Sequence, residues 1–219
     1  MPIRWACWTL FSSYNAIARL RDAVDLEIEI HAHNDLGMAT ANTLAALRAG
    51  ASHANTTVNG LGERAGNAAL EEVVMGVRHL HHADCGIHTQ ALVGISELVA
   101  RASGRQVAAN KSIVGEAVFT HESGIHVDGL LKNAATYESF DPLELGRHRH
   151  TVLGKHSGSS AVRQAYGKLG ILLDDTVTAR VLSSIRAHAM RVKLPATTDD
   201  LHRFLQDCHT TQDYTRGLS

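Results

Sequence analysis

The sequence predicts an α/β protein built on a parallel sheet, of which this chain holds only part. Three observations carry that reading. Helical and strand patterns alternate from Ser13 to Leu80. The two strand candidates are each followed by a helical stretch, the arrangement that produces βα units. A glycine-rich loop, Gly60-Leu61-Gly62-Glu63-Arg64-Ala65-Gly66-Asn67, follows the second strand candidate. Two strands do not make a stable parallel sheet by themselves, so the remaining strands are expected to be missing from this chain or supplied by another.

In chain order, Ser13 to Arg21 has helical periodicity through Tyr14, Ile17 and Ala18. Leu26-Glu27-Ile28-Glu29-Ile30 alternates apolar and acidic residues and reads as a strand. Met38 to Ala49 is rich in Ala and Leu and closes on Gly50, a helix with a glycine stop. His53 to Val58 is the second strand, and Ala68 to Leu80 a helix with Leu70, Val73, Val74 and Val77 on one face. Beyond Asp84 the character changes. Thr89 to Ser103 reads as an amphipathic helix through Leu92, Ile95, Leu98 and Val99, and residues 115 to 158 as a loop-rich stretch dense in polar groups. Helices are expected over Ala161 to Leu169, Thr176 to Val192 and Leu201 to Cys208, with Pro195 separating the last two.

Composition narrows the functional classes. With 219 residues, 44% of them hydrophobic, the chain can bury a core. A net charge of -1 gives no electrostatic case for nucleic acid or an anionic membrane. No apolar run reaches the roughly 18 residues of a membrane span. The N-terminus lacks signal-peptide architecture. Three scattered cysteines fit thiols in a reducing, cytoplasmic compartment. Of the 15 histidines, His79, His81 and His82 end a helical pattern and His148 and His150 lie in a basic turn, which places them on the surface.

The chemistry concentrates where the first strand ends. In His31-Ala32-His33 two imidazoles two residues apart point to one side of an extended chain, within reach of one divalent metal. Two histidines packed at a rim satisfy the same pattern. The glycine-rich loop at the end of the next strand lets backbone approach a ligand. Asn67 is read as opening the helix that follows, whose N-terminus can receive a carboxylate. Together they describe a metal-plus-carboxylate site.

These stretches resemble one family, the pyruvate-carboxylase-lyase-like metal enzymes that include isopropylmalate synthase and homocitrate synthase. HAHNDLGMATANTLAALRAGA and NTTVNGLGERAGNAALEE resemble strands seven and eight of its TIM barrel, and GEAVFTHESGIHVDGLLK and VLGKHSG resemble the lid that follows. The fold implied is the C-terminal part of a TIM barrel, its last two βα units, followed by a mainly helical lid and C-terminal region. The segments implied are a partial barrel over 12–84, a lid subdomain over 85–158 and a helical subdomain over 159–219. The resemblance implies metal ligands at His31, His33 and Asn67, holding Zn, Mn or Mg. The family's further ligand, an Asp on the first strand, has no counterpart here. It implies a Claisen condensation of acetyl-CoA with a 2-oxo acid, with His126 in acid/base work near the acetyl group. A loop histidine bonded to backbone is the other reading of His126, and His121 is taken as structural. Tyr137, eleven residues after His126, matches a His and Tyr pair of homocitrate synthases of the nitrogen-fixation type and favours 2-oxoglutarate. It is otherwise a packing aromatic. Thr57 is either a partner for a substrate carboxylate or a β-branched strand residue. The resemblance also implies a homodimer in the full-length form.

A closed barrel needs eight strands and roughly 250 residues. Residues 1–11, MPIRWACWTLF, resemble nothing in the family. Codons compatible with them, entered at the third base, translate as ADTVGVLDPF, which resembles the family's sixth strand and exit loop. A reading-frame change near Phe11 is the expectation, and with it an isolated chain that is inactive and exposes apolar surface. The alternatives are a 2-isopropylmalate synthase acting on 2-oxoisovalerate, a metal hydrolase, and a non-catalytic remnant that associates with an intact synthase.

Overall fold

The computed structural model describes residues 8–122, 129, 133 and 138–216. The chain forms two compact units: Met1–Val118 with Leu143–Arg147, and Phe119–Pro142 with His148–Ser219. The helix ending at Ser103 belongs with the first unit.

In the first unit α1 spans Leu10–Ala23, three residues longer at its start than its periodicity predicts, because the Thr9 hydroxyl caps it by accepting from the Ser12 amide at 3.2 Å. It buries Ser13 and Ile17 and leaves Leu10, Phe11, Tyr14 and Leu20 exposed. Strand β1 (Glu29–His31), helix α2 (Ala39–Arg48) and strand β2 (His53–Asn55) follow, with the strands parallel and Ile30 opposite Ala54. Both strands are shorter than their patterns suggest. The ladder begins only after Ile28, whose carbonyl accepts from the amides of Ser52 and His53 at 2.9 and 3.1 Å. Side chains still alternate: Ile28 packs with Ile17, Ala46 and Ala51 against the helices, and Glu29 and His31 stay exposed. Helix α3 (Leu70–Leu80) buries Val73, Val74 and Met75. The predicted helix over 89–103 is a 3-10 turn, Thr89–Ala91, leading into α4 (Leu92–Ser103). Its buried face is Leu92 and Ser96; Ile95 and Leu98 are exposed, against the expectation. A polar pair sets that rotation: the Ser96 hydroxyl donates to Asn59 Oδ1 at 2.5 Å, and Asn59 Nδ2 donates to the Ser96 carbonyl at 2.9 Å.

The second unit has two short parallel strands, β3 (Thr120–His121) and β4 (His150–Thr151), then helices α5 (Ser159–Lys168), α6 (Asp175–Val192) and α7 (Thr198–Arg216). Its core joins Leu153, Val162, Tyr166, Val181, Ile185, Leu201 and Phe204. Asp174 caps α6, accepting from the Val177 amide at 2.7 Å. Helix α7 begins earlier than predicted because Thr197 and Asp200 form a capping box: the Asp200 amide donates to Thr197 Oγ1 at 3.2 Å and the Thr197 amide to Asp200 Oδ2 at 2.9 Å. The Thr197 amide and hydroxyl hold the Asp200 carboxyl below the usual carboxylate range. Thr197→Ala is expected to lower the stability of this unit by about 1 kcal/mol, read as an earlier loss of helical circular dichroism in urea. Among the described residues no helix is long and apolar enough to cross a membrane.

Candidate functional site

The segment after β1 and the loop after β2 are zipped together by backbone. The Asn34 amide donates to the Gly66 carbonyl at 2.8 Å, and the Ala68 amide to the Ala32 carbonyl at 3.1 Å. His33 and Asn67 therefore face each other across an antiparallel bridge. The rings of His31 and His33 meet edge to face with centroids 4.9 Å apart. Asn67 Nδ2 donates to the Leu61 carbonyl at 3.2 Å, which fixes the amide, and its Oδ1 is enclosed without a donor. A buried acceptor left unpaired is uncommon and marks a place for a cation or a donor. Two imidazoles and one amide oxygen are donors that divalent cations accept. Among the described residues no three His, Cys, Asp or Glu side chains converge on a metal-binding arrangement.

Asn67 does not open α3, as its sequence position suggested. The helix starts three residues later at Leu70, and Asn67 lies in extended backbone. Glu71 and Glu72 fill the first turn, and Glu71 Oε2 accepts from the Asn59 amide at 3.0 Å. Lys111 Nζ pairs with both carboxylates. Burial pushes the Glu72 carboxyl up, but hydrogen bonds from Lys111, Ser112 and Thr40 outweigh it and hold Glu72 below the usual range.

The glycines of the loop are there for space. A Cβ on Gly62 would lie 2.5 Å from Asn67 Nδ2. Gly66 adopts φ +91°, and a Cβ there would lie 2.0 Å from the Gly60 carbonyl oxygen. Arg64, between them, takes φ +55°. It pairs with Asp35 on the facing segment, Nε to Oδ1 at 3.0 Å and Nη2 to Oδ2 at 3.0 Å. That guanidinium holds the Asp35 carboxyl below its usual range, and Asp35 raises Arg64. Asn34, beside it, takes the Ala39 amide at 3.1 Å and secures the start of α2. The sequence reading passed over the Asp35–Arg64 pair; its signal was one opposite charge in each of the two motifs.

A cavity of about 630 Å³ runs between α1 and β1, and its lining includes His31, His33, Trp8, Leu36, Met38 and Arg64. Thr57 sits two residues past β2 with its backbone bridged to Ala69, and its hydroxyl is enclosed without a partner. His126 and Tyr137 lie outside the described residues. His121 is described: its Nε2 meets Glu138 Oε1 at 3.3 Å, and Glu138 Oε2 accepts from Arg149 Nε at 2.7 Å.

Comparison with known proteins adds relatives to this geometry. Residues 5–99 match the HMGL-like family, and residues 113–193 match the family described as homocitrate synthase post-HMGL domain-like. The chain is 50% identical over 197 residues to 2-isopropylmalate synthase 2 of Caldanaerobacter subterraneus subsp. tengcongensis, covering 90% of this chain and 51% of that protein. It is 48% identical over 197 residues to homocitrate synthase 1 of a Nostoc species, covering 90% and 52%. It is 51% identical over 159 residues to homocitrate synthase of Frankia alni, covering 73% and 45%. The chain spans about half the length of the curated relatives it matches.

Proposed function

We propose that this chain carries part of an acyltransferase site that condenses acetyl-CoA with a 2-oxo acid, a reading supported by the match of residues 5–99 to the HMGL-like family and of residues 113–193 to the homocitrate synthase post-HMGL domain-like family. The acid we assign is 2-oxoglutarate and the product homocitrate, destined for nitrogenase cofactor synthesis, in the cytoplasm. The observation that carries the reading is the backbone pairing of His33 with Asn67 beside His31, with an amide oxygen left unpaired. Those three residues are the ligands we assign to a divalent cation. When bound, the cation supplies Lewis-acid polarisation of a keto oxygen. His31 and His33 would each offer a ring nitrogen, and the Leu61 carbonyl keeps the Asn67 amide turned so that its oxygen remains available. Thr57, whose enclosed hydroxyl lacks a partner, is the residue we assign to a substrate carboxylate. His126 is assigned to acid/base work at the acetyl group and Tyr137 to the choice of acid. The complete assembly is proposed to be a homodimer, and the chain alone is expected to bind and not to turn over.

Calorimetric titration with Mn2+ and Zn2+ tests the ligand set. The wild-type chain should take up one cation, and His33→Ala should weaken uptake at least about tenfold. Titration of the cation-loaded chain with 2-oxoglutarate and 2-oxoisovalerate tests the acid. Tighter binding of 2-oxoisovalerate would transfer the assignment to isopropylmalate chemistry, and no cation uptake by the wild type would end the proposal.

A further inference from the structure

We propose that the Asp35–Arg64 ion pair is a positioning device that sets the Asn67 amide against the two imidazoles, so that cation affinity depends on a pair that touches no cation; the inference rests on the cation reading above. Asp35 lies two residues after His33 and Arg64 three before Asn67, so the pair bridges the two ligand-bearing segments just beyond the ligands. Arg64 Nε reaches both carboxylate oxygens, at 3.0 and 3.2 Å, and Nη2 reaches Oδ2 at 3.0 Å. The Ala65 backbone amide also acts on the Asp35 carboxylate, and the backbone zip at Asn34 and Ala68 completes the link between the segments.

The backbone at Arg64 supports the same conclusion. The Gly66 amide closes a turn onto the Glu63 carbonyl at 2.9 Å, and Arg64 inside that turn holds φ +55°. Glycine adopts that conformation without cost, whereas a side chain there needs a contact that compensates. In a loop that already uses Gly60, Gly62 and Gly66, the arginine is explained by what its guanidinium reaches. Arg64 also lines the cavities on both sides of the loop, one with His31 and His33, the other with Gly60, Leu61 and Lys111. Both partners are partly exposed, with side-chain exposures of 52% for Arg64 and 26% for Asp35. Exposed pairs add little to global stability, so the contribution of this one is local orientation.

The test separates orientation from folding. Arg64→Gln and Asp35→Asn should each weaken Mn2+ binding about tenfold, within the range found for residues that orient metal ligands, with the thermal midpoint of the chain unchanged. The exchanged pair, Asp35→Arg with Arg64→Asp, should restore most of the affinity. Arg163→Gln, which breaks the Arg163–Asp175 pair of the second unit, should bind as the wild type does. Unchanged affinity in both single variants, or weakening that the exchanged pair leaves in place, overturns the inference. If the wild-type chain takes up no Mn2+, the cation reading fails by itself, and amide exchange then decides the clamp. Faster exchange at Asn34 and Ala68 in Arg64→Gln keeps the positioning role, and unaltered exchange removes it.

Discussion

Gly66→Ala is expected to destabilise the first unit by about 3 kcal/mol, the upper end for a strained backbone position, and to abolish cation uptake. At φ +91° any L side chain is strained, and here the added Cβ would lie 2.0 Å from the Gly60 carbonyl oxygen. The Cβ position is fixed by the backbone and the Gly60 oxygen is itself backbone, so no rotamer change relieves the clash. The loop has to open, and opening it removes two bonds that define the site: the Asn34 amide to the Gly66 carbonyl at 2.8 Å and the Asn67 amide to the Gly60 carbonyl at 3.0 Å. Trp8 belongs to the first unit, so tryptophan fluorescence in urea reports that unit. Gly104→Ala is the control, because φ is +69° there and nothing lies within 4 Å; it should cost only about 1 kcal/mol. A Gly66→Ala chain that melts and binds Mn2+ as the wild type does would show that the loop geometry is not what holds Asn67 in place.

The sequence was informative where a period settles the question. The alternation through Ile28, Glu29 and Ile30 was readable as a strand, and in the structure Ile28 and Ile30 pack with residues of α1 and α2 while Glu29 and His31 stay exposed, because side-chain direction in a strand follows from spacing. Val73 and Val74 were likewise readable as the buried face of α3. What escaped the pattern was set by contacts between distant segments. The rotation of α4 depends on the polar grip of Asn59 on Ser96, which no count of apolar residues anticipates. Asn67 was read as the start of a helix because a helical pattern follows it, whereas its bridge to His33 holds it in extended backbone. The strand ladders were overestimated because Leu26 and Glu27 fit a strand locally and have no pairing partner among the described residues. Of the proposed site, His31, His33 and Asn67 were named from the chain. The devices that hold them, Asn34, Asp35 and Arg64, act across a gap that only the folded backbone closes.

Replacing Tyr166 should have the largest effect in the second unit. The ring is fully buried among Val162, Val181, Ile185 and Phe204, and its hydroxyl donates to the Leu201 carbonyl at 2.6 Å, tying α5 to α7. Tyr166→Ala removes the ring and leaves a cavity, for a loss of about 3–5 kcal/mol. Tyr166→Phe keeps the ring and removes the hydrogen bond, for about 0.5–1.5 kcal/mol. The phenylalanine variant also isolates a pH effect. Burial pushes the Tyr166 phenol from 10.0 up to about 12, because the phenolate cannot be solvated where it sits. The folded value exceeds the unfolded one, so the neutral phenol's stabilising contribution is fully present below pH 10 and is lost as pH rises through 12. Its size is on the order of 2–3 kcal/mol. Burial also raises the neighbouring Cys208 thiol above 9.0, which adds slope at the lower edge of that range. Urea midpoints followed by far-UV circular dichroism in a Cys208→Ala background should therefore fall steeply between pH 10 and 12 with Tyr166 present and stay nearly level with Phe in its place. Parallel curves for the two would mean that the hydroxyl is already solvated and that α5 and α7 are joined by apolar packing alone.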